Sequence, residues 1–123
     1  MEYREFGKTK EKVSVIGMGT YYDVGWIILS FIGIKRGYKR KIEALRKGIE
    51  GGINFIDTAE IYNTETLISE AIKGYERDKL FIASKVWPSH LKFDDVIKSC
   101  KRSLKRLNTN YIDLYQIHFP NRK

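Results

Sequence analysis

At 123 residues the chain has room for one domain around a single core, and its 42% hydrophobic and 31% charged composition is that of an ordinary globular protein. The net charge of +8 admits a phosphate-bearing partner, but the densest basic runs, Lys35 to Lys47 and Lys98 to Arg106, fall in helix-like segments as solvated faces. The second lacks aromatic interleaving, so no nucleic-acid partner is expected. The only long apolar stretch, Trp26 to Ile34, has nine residues where a spanning helix takes about 20, and the charged amino terminus reads as no signal peptide; a cytoplasmic protein with no membrane partner is expected.

Tyr3 to Phe6, the polar Gly7-Lys8-Thr9-Lys10 and Val13 to Val15 predict a hairpin, and Val13 to Met18 continues as a mostly apolar strand ending in Gly19-Thr20-Tyr21. Glycine at a strand's end lets a ligand approach the backbone; a plain turn explains Gly19 equally well. Tyr22 to Gly37 has neither helical nor strand periodicity and is punctuated by Gly25, Gly33 and Gly37. It reads as a buried loop, a short extra strand or an exposed adhesive patch.

From Lys39 a helical period sets in, with Ile42, Leu45 and Ile49 on one face, and Gly51-Gly52 stops it. The strand Ile53 to Asp57 follows. Thr64 is placed to cap a second helix, whose buried face is Ile68, Ala71 and Ile72 and which Gly74 terminates. Leu80 to Ser84 is the next strand, ending in Lys85. A third helix runs from about Phe93 to Leu107, with Val96, Ile97, Cys100, Leu104 and Leu107 on its stripe and Asp94 and Asp95 at its positive end. The lone Cys100 on that stripe reads as a buried thiol rather than a nucleophile. Tyr111 to Ile117 forms a last strand, ending in His118. Strand and helix alternate throughout, which implies right-handed crossovers and a parallel sheet.

Parallel strands bring their carboxyl ends to one rim, and Asp57, Lys85 and His118 each stand at such an end, with Tyr62 just beyond one of them. Taken singly, each has an ordinary structural explanation: a loop acid, a half-buried loop aromatic, a surface lysine and a satisfied core histidine. Together they form a site. A nearby ammonium favours a phenolate, so Lys85, held by Asp57, is expected to lower the pKa of Tyr62 and make it a proton donor to a carbonyl oxygen gaining charge. His118 can hydrogen-bond the same oxygen. None of these side chains delivers a hydride, which calls for a nicotinamide cofactor. No metal site is expected.

Gly52-Ile53-Asn54-Phe55-Ile56-Asp57-Thr58-Ala59 with Tyr62, Ala83-Ser84-Lys85-Val86-Trp87 and Tyr111-Ile112-Asp113-Leu114-Tyr115-Gln116-Ile117-His118 together resemble the signatures of the aldo-keto reductase family. The resemblance covers most of residues 1–123 and is weakest between Tyr22 and Lys39. It implies NADPH-dependent, or less often NADH-dependent, reduction of aldehydes and ketones, with a catalytic set of Asp57, Tyr62, Lys85 and His118. It implies cofactor contacts at Gly19, Thr20, Tyr21 and Asp57, and substrate contacts at Trp87 and His118.

The implied fold is an amino-terminal β-hairpin followed by about half of a parallel (β/α)8 TIM barrel, with four strands and three helices in a single truncated domain. Such a barrel takes about 250 residues, so the chain is expected to stop after the fourth strand, without many cofactor contacts. Two further departures are the apolar Trp26 to Gly37 and the sequence Asn63-Thr64-Glu65-Thr66, which replaces a glycine-containing turn. Open strand edges predict self-association or pairing with a complementary half-barrel chain. The alternative expectation is a catalytically silent half-barrel serving as an interaction module or remnant.

Overall fold

Short extended runs separated by amphipathic helices produce two sheets in the computed structural model, which describes residues 1–121. Strands β1 (Tyr3–Glu5) and β2 (Lys12–Ser14) form an antiparallel hairpin. Strands β3 (Gly17–Gly19), β4 (Phe55–Asp57), β5 (Phe81–Val86) and β6 (Leu114–Ile117) form a parallel sheet in that order. Helices α1 (Val24–Phe31), α2 (Tyr38–Glu50), α3 (Glu65–Ala71) and α4 (Phe93–Leu107) supply the crossovers. This is a partial TIM barrel, as expected, with one helix more than the three predicted.

Two sequence-based expectations are corrected by local hydrogen bonding. The strand expected to continue from Val13 to Met18 is divided: the Ser14 hydroxyl donates to the Ile16 carbonyl at 2.7 Å, and the chain passes from the hairpin into the parallel sheet. Thr64 does occupy the N-cap position of α3, but its side chain makes no capping bond because its hydroxyl is engaged by Thr20 and Thr58.

Side-chain alternation along the strands divides the sheet into two faces. Ile56 and Ile82 are fully buried toward the helices, where they join Leu45, Leu67, Ile68, Ala71 and Leu107. Phe55, Asp57, Phe81 and Lys85 therefore stand on the opposite face, which corresponds to the interior of a barrel. At the amino-terminal end of that face the Phe6 ring from the hairpin lies 6.1 Å from Phe55 and 5.0 Å from Phe81. The hairpin thus plugs the end remote from Asp57. Helix α2 seats on β3 through Gly48, where a Cβ would run into the Met18 thioether.

The Tyr22 to Gly37 segment is the helix α1 followed by a tight exit. Asp23 caps the helix by accepting from the Trp26 N–H at 2.7 Å. At the other end Gly33 adopts φ +87°, with its N–H on the Ser30 carbonyl and the Ile34 N–H on the Leu29 carbonyl. The turn after Tyr62, where glycine was missed in the sequence, is solved differently. Asn63 itself takes φ +54°, a conformation asparagine tolerates better than most residues.

Candidate functional site

Strand pairing sets the site before any side chain is considered. Gly19 stands opposite Asp57, Asp57 opposite Ala83, and Lys85 opposite Gln116, so the carboxyl ends of all four strands form one rim. Past β6 the His118 N–H continues the ladder, donating to the Val86 carbonyl at 3.1 Å. Tyr62 ends a single 3-10 turn, Glu60–Tyr62, immediately beyond β4. Lys85, expected just after its strand, is the penultimate residue of β5.

The Lys85 ammonium donates to both Asp57 carboxylate oxygens at 2.7 Å and to the Thr58 carbonyl at 2.9 Å. Those three bonds use its full donor capacity. The Tyr62 ring lies beside the pair, with the Lys85 nitrogen 5.2 Å from its centroid. Around this centre the rings meet edge to face: Tyr21 is 5.3 Å from Tyr62, Tyr62 is 5.4 Å from His118, and Trp87 is 5.5 Å from His118. The expected catalytic residues, Gly19, Tyr21 and Trp87 therefore share one rim. Thr20 differs from the rest: it is fully buried, with its hydroxyl on the Asp57 carbonyl at 3.0 Å and against Thr64 at 2.8 Å.

The electrostatics depart from the sequence-based expectation at Tyr62. Burial pushes the phenol's pKa up, and the Asp57 carboxylate and Tyr21 add to that rise. The ion pair leaves that rise unopposed, because Asp57 bonded at 2.7 Å offsets the ammonium's pull on the phenol. Tyr62 is consequently a protonated phenol at neutral pH. His118 moves the other way: burial and the Lys85 ammonium lower its pKa, partly opposed by Asp57. Its Nδ1 is buried and has no hydrogen-bond partner among the described residues.

A titration tests this arrangement. Replacing Lys85 with Met removes the cation and leaves the carboxylate, so the His118 pKa should rise in an NMR titration. An unchanged value would show that His118 does not sense the pair. The sign for stability follows from the same shift. The folded value lies below the free imidazole's 6.5, so His118's contribution is complete above that pH and is lost as pH falls through the folded value.

Several supporting residues were not singled out in the sequence. The Glu60 carboxylate accepts from the Trp87 N–H at 3.0 Å and meets His90 Nδ1 at 3.0 Å and Arg102 at 3.3 Å. Burial opposes ionisation there, yet those partners hold the carboxyl below its usual range. Glu60 thus ties the turn bearing Tyr62 to the loop bearing Trp87. Below it, Glu65 is buried and accepts from the Ser84 hydroxyl at 2.7 Å and from Arg106 Nε at 2.6 Å. Cys100 is half-buried, and burial followed by Glu65 raises its thiol pKa, so it stays protonated, as expected for a packing residue.

The model of the "Aldo/keto reductase family" matches residues 32–123, three quarters of the chain. The chain belongs to the aldo/keto reductase family. It is 45% identical over 84 residues to methylglyoxal reductase YeaE of Escherichia coli strain K12, an alignment covering 66% of this chain and 29% of that protein. Among solved structures, the thermostable aldo-keto reductase Tm1743, determined with the inhibitor epalrestat, superposes with a TM-score of 0.83 at 41% identity. That match covers 99% of this chain and 44% of the other. An aldo-keto reductase from Klebsiella pneumoniae in complex with NADPH gives 0.75 at 32% identity, covering 93% of this chain and 38% of that one.

The chain thus spans less than half the length of these relatives. Within the aldo/keto reductase match lie β4, β5 and β6 and every residue of the ion pair and ring cluster except Tyr21. Strand β3 and Gly19 precede it and enter through the structural superposition, which runs over nearly the whole chain.

Proposed function

We propose that this chain carries the catalytic constellation of an NAD(P)H-dependent carbonyl reductase that converts aldehydes and ketones to alcohols, with Tyr62 as proton donor. The observation that carries the reading is the Lys85 to Asp57 pair at 2.7 Å with the Tyr62 ring beside it and the His118 ring edge to face with Tyr62. A structural ion pair needs neither a phenol nor an imidazole, whereas a carbonyl that gains negative charge needs donors aimed at its oxygen.

The residues present fit a nicotinamide ring. Gly19 has open space where a side chain would begin, and the neighbouring Tyr21 ring is half exposed. Gly19, Tyr21 and Asp57 would hold the ring, with the buried Thr20 fixing the strand end beneath them. When bound, the nicotinamide supplies a hydride to the carbonyl carbon. Tyr62 donates its phenolic proton to the carbonyl oxygen and is reprotonated from solvent; Lys85, its hydrogens taken by Asp57 and Thr58, supports the phenolate only through what remains of its field. His118, neutral because its pKa is lowered, offers one N–H to the same oxygen, and Trp87 forms an apolar wall beside it. The similarity to a methylglyoxal reductase supports small carbonyl compounds as the substrate class.

The exposed edge of β6, with Ile117 and Phe119 uncovered, supports a second reading: a silent half-barrel that associates with a second copy or a complementary half-barrel chain. Fluorescence titration of NADPH into the purified chain separates the two. Saturable binding below about millimolar cofactor is expected of a reductase site, since typical Michaelis constants lie between about 1 μM and 1 mM. Absence of binding, together with a stable dimer in sedimentation velocity, would leave the association reading in its place.

A further inference from the structure

Helix α1 presents an outward apolar face, of which Phe31 alone borders the site, lining a cavity with Trp87 and Glu60. Val24, Ile28, Phe31 and Ile32 follow the i, i+4, i+7, i+8 pattern of one helical face, and they stand 59–69% exposed. Ile34, beyond the turn, is 48% exposed. The face is held in this attitude rather than frayed. Trp26 and Ser30 are buried on the opposite side, Asn63 donates to the Ser30 hydroxyl at 3.0 Å, and both ends of the helix are capped.

The charges that follow are as one-sided as the apolar face. From Val24 to Ile42 the chain has Lys35, Arg36, Lys39, Arg40 and Lys41 and no acidic residue. Lys41 turns inward, its nitrogen 2.9 Å from the Arg36 carbonyl and over the Tyr22 and Trp26 rings at 4.6 and 4.7 Å. Lys35, Arg36, Lys39 and Arg40 are exposed and form no ion pair among the described residues.

We infer that α1 and the basic segment after it form a membrane-surface anchor. The outward apolar residues enter the boundary between headgroups and acyl chains, and Lys35, Arg36, Lys39 and Arg40 meet anionic lipid phosphates. An anionic lipid surface uses both features at once. A nucleic acid would engage the cations and leave the apolar face in water. A second copy meeting this face through a two-fold axis would set the two basic segments against one another. Surface attachment needs no membrane-crossing helix, and no helix among the described residues is long and apolar enough to cross a bilayer. The sequence-based expectation of no membrane partner rests on that length and on the charged amino terminus, neither of which bears on surface attachment.

The test is cosedimentation of the 123-residue chain with phosphatidylcholine vesicles, with and without about one-third phosphatidylserine. Binding is expected to the anionic vesicles only, and to weaken as salt is raised. The double variants Ile28→Asp/Ile32→Asp and Lys35→Glu/Arg36→Glu should each lower that binding about tenfold or more, with unchanged circular dichroism. Both pairs lie on the surface and outside the rim that carries Tyr62, so NADPH affinity serves as a separate control. Failure of the wild-type chain to bind anionic vesicles would overturn the inference. So would unchanged binding by Ile28→Asp/Ile32→Asp, which would reduce the effect to charge alone. Single-stranded RNA bound equally by the wild type and that variant, in preference to vesicles, would point to nucleic acid instead. Loss of a dimer in the same variant without loss of vesicle binding would assign the face to a second copy.

Discussion

On the proposed reductase reading, replacing Tyr62 with phenylalanine is expected to lower carbonyl turnover by about 10²- to 10⁴-fold, the usual contribution of a positioned proton donor. The substitution removes one hydroxyl and keeps the ring that packs against Tyr21 and His118. The Lys85 to Asp57 pair is independent of the phenol, because all three ammonium hydrogens are used by Asp57 and Thr58. NADPH affinity and thermal stability should therefore change little, and the loss should fall on kcat more than on KM. The raised pKa of Tyr62 adds a pH signature: the phenol stays protonated past its ordinary value of 10.0, so activity should not decline as pH rises through neutrality on its account. NADPH consumption with methylglyoxal measures the effect, and equal turnover by the two proteins would remove Tyr62 from the reaction.

The positions of Asp57, Lys85 and His118 were legible in the sequence because a polar residue after or near the end of an apolar strand interrupts a simple pattern. Strand pairing does the rest, since parallel register brings every such end to one rim. The charge balance among them was not legible. Burial of the phenol raises the Tyr62 pKa, and Asp57, with both carboxylate oxygens on Lys85, offsets the cation that was expected to lower it.

Helix α1 was hidden for a different reason. Its apolar residues surround the axis instead of alternating with polar ones, because Trp26 faces the core while Ile28 and Ile32 face outward. A periodicity test needs contrast between faces and finds none. Glu60 and Glu65 were hidden by distance along the chain: their partners Trp87, Ser84 and Arg106 lie 27, 19 and 41 residues away. Within α4 the serines Ser99 and Ser103 are buried while Phe93 and Ile97 are exposed, so the apolar stripe locates the helix but misstates which residues its neighbours cover.

That last inversion leads to the second large effect, at Arg106. Helix α4 turns small polar residues inward to admit a charged connection between Arg106 and Glu65. The Glu65 side chain is 1% exposed and Arg106 31% exposed, with their atoms 2.6 Å apart. Ser84 of β5 gives Glu65 its other bond, so one carboxylate joins α3, α4 and the strand that carries Lys85. Replacing Arg106 with Met keeps most of the side chain's volume and leaves a carboxylate buried without its cation. Breaking a buried pair from one side costs about 3–5 kcal/mol, and the partial exposure of Arg106 places the expected loss toward about 3. Adding Glu65→Gln to Arg106→Met removes the stranded charge while keeping an acceptor for Ser84, so most of the lost stability should return. Urea unfolding of the single and double variants measures both steps. Equal stability of the two would mean that water reaches Glu65 once Arg106 is gone, so that no buried charge is stranded. Recovery in the double variant would instead place a neutralised carboxylate, not a lost contact, at the centre of how α3 and α4 are fixed behind the Lys85 strand.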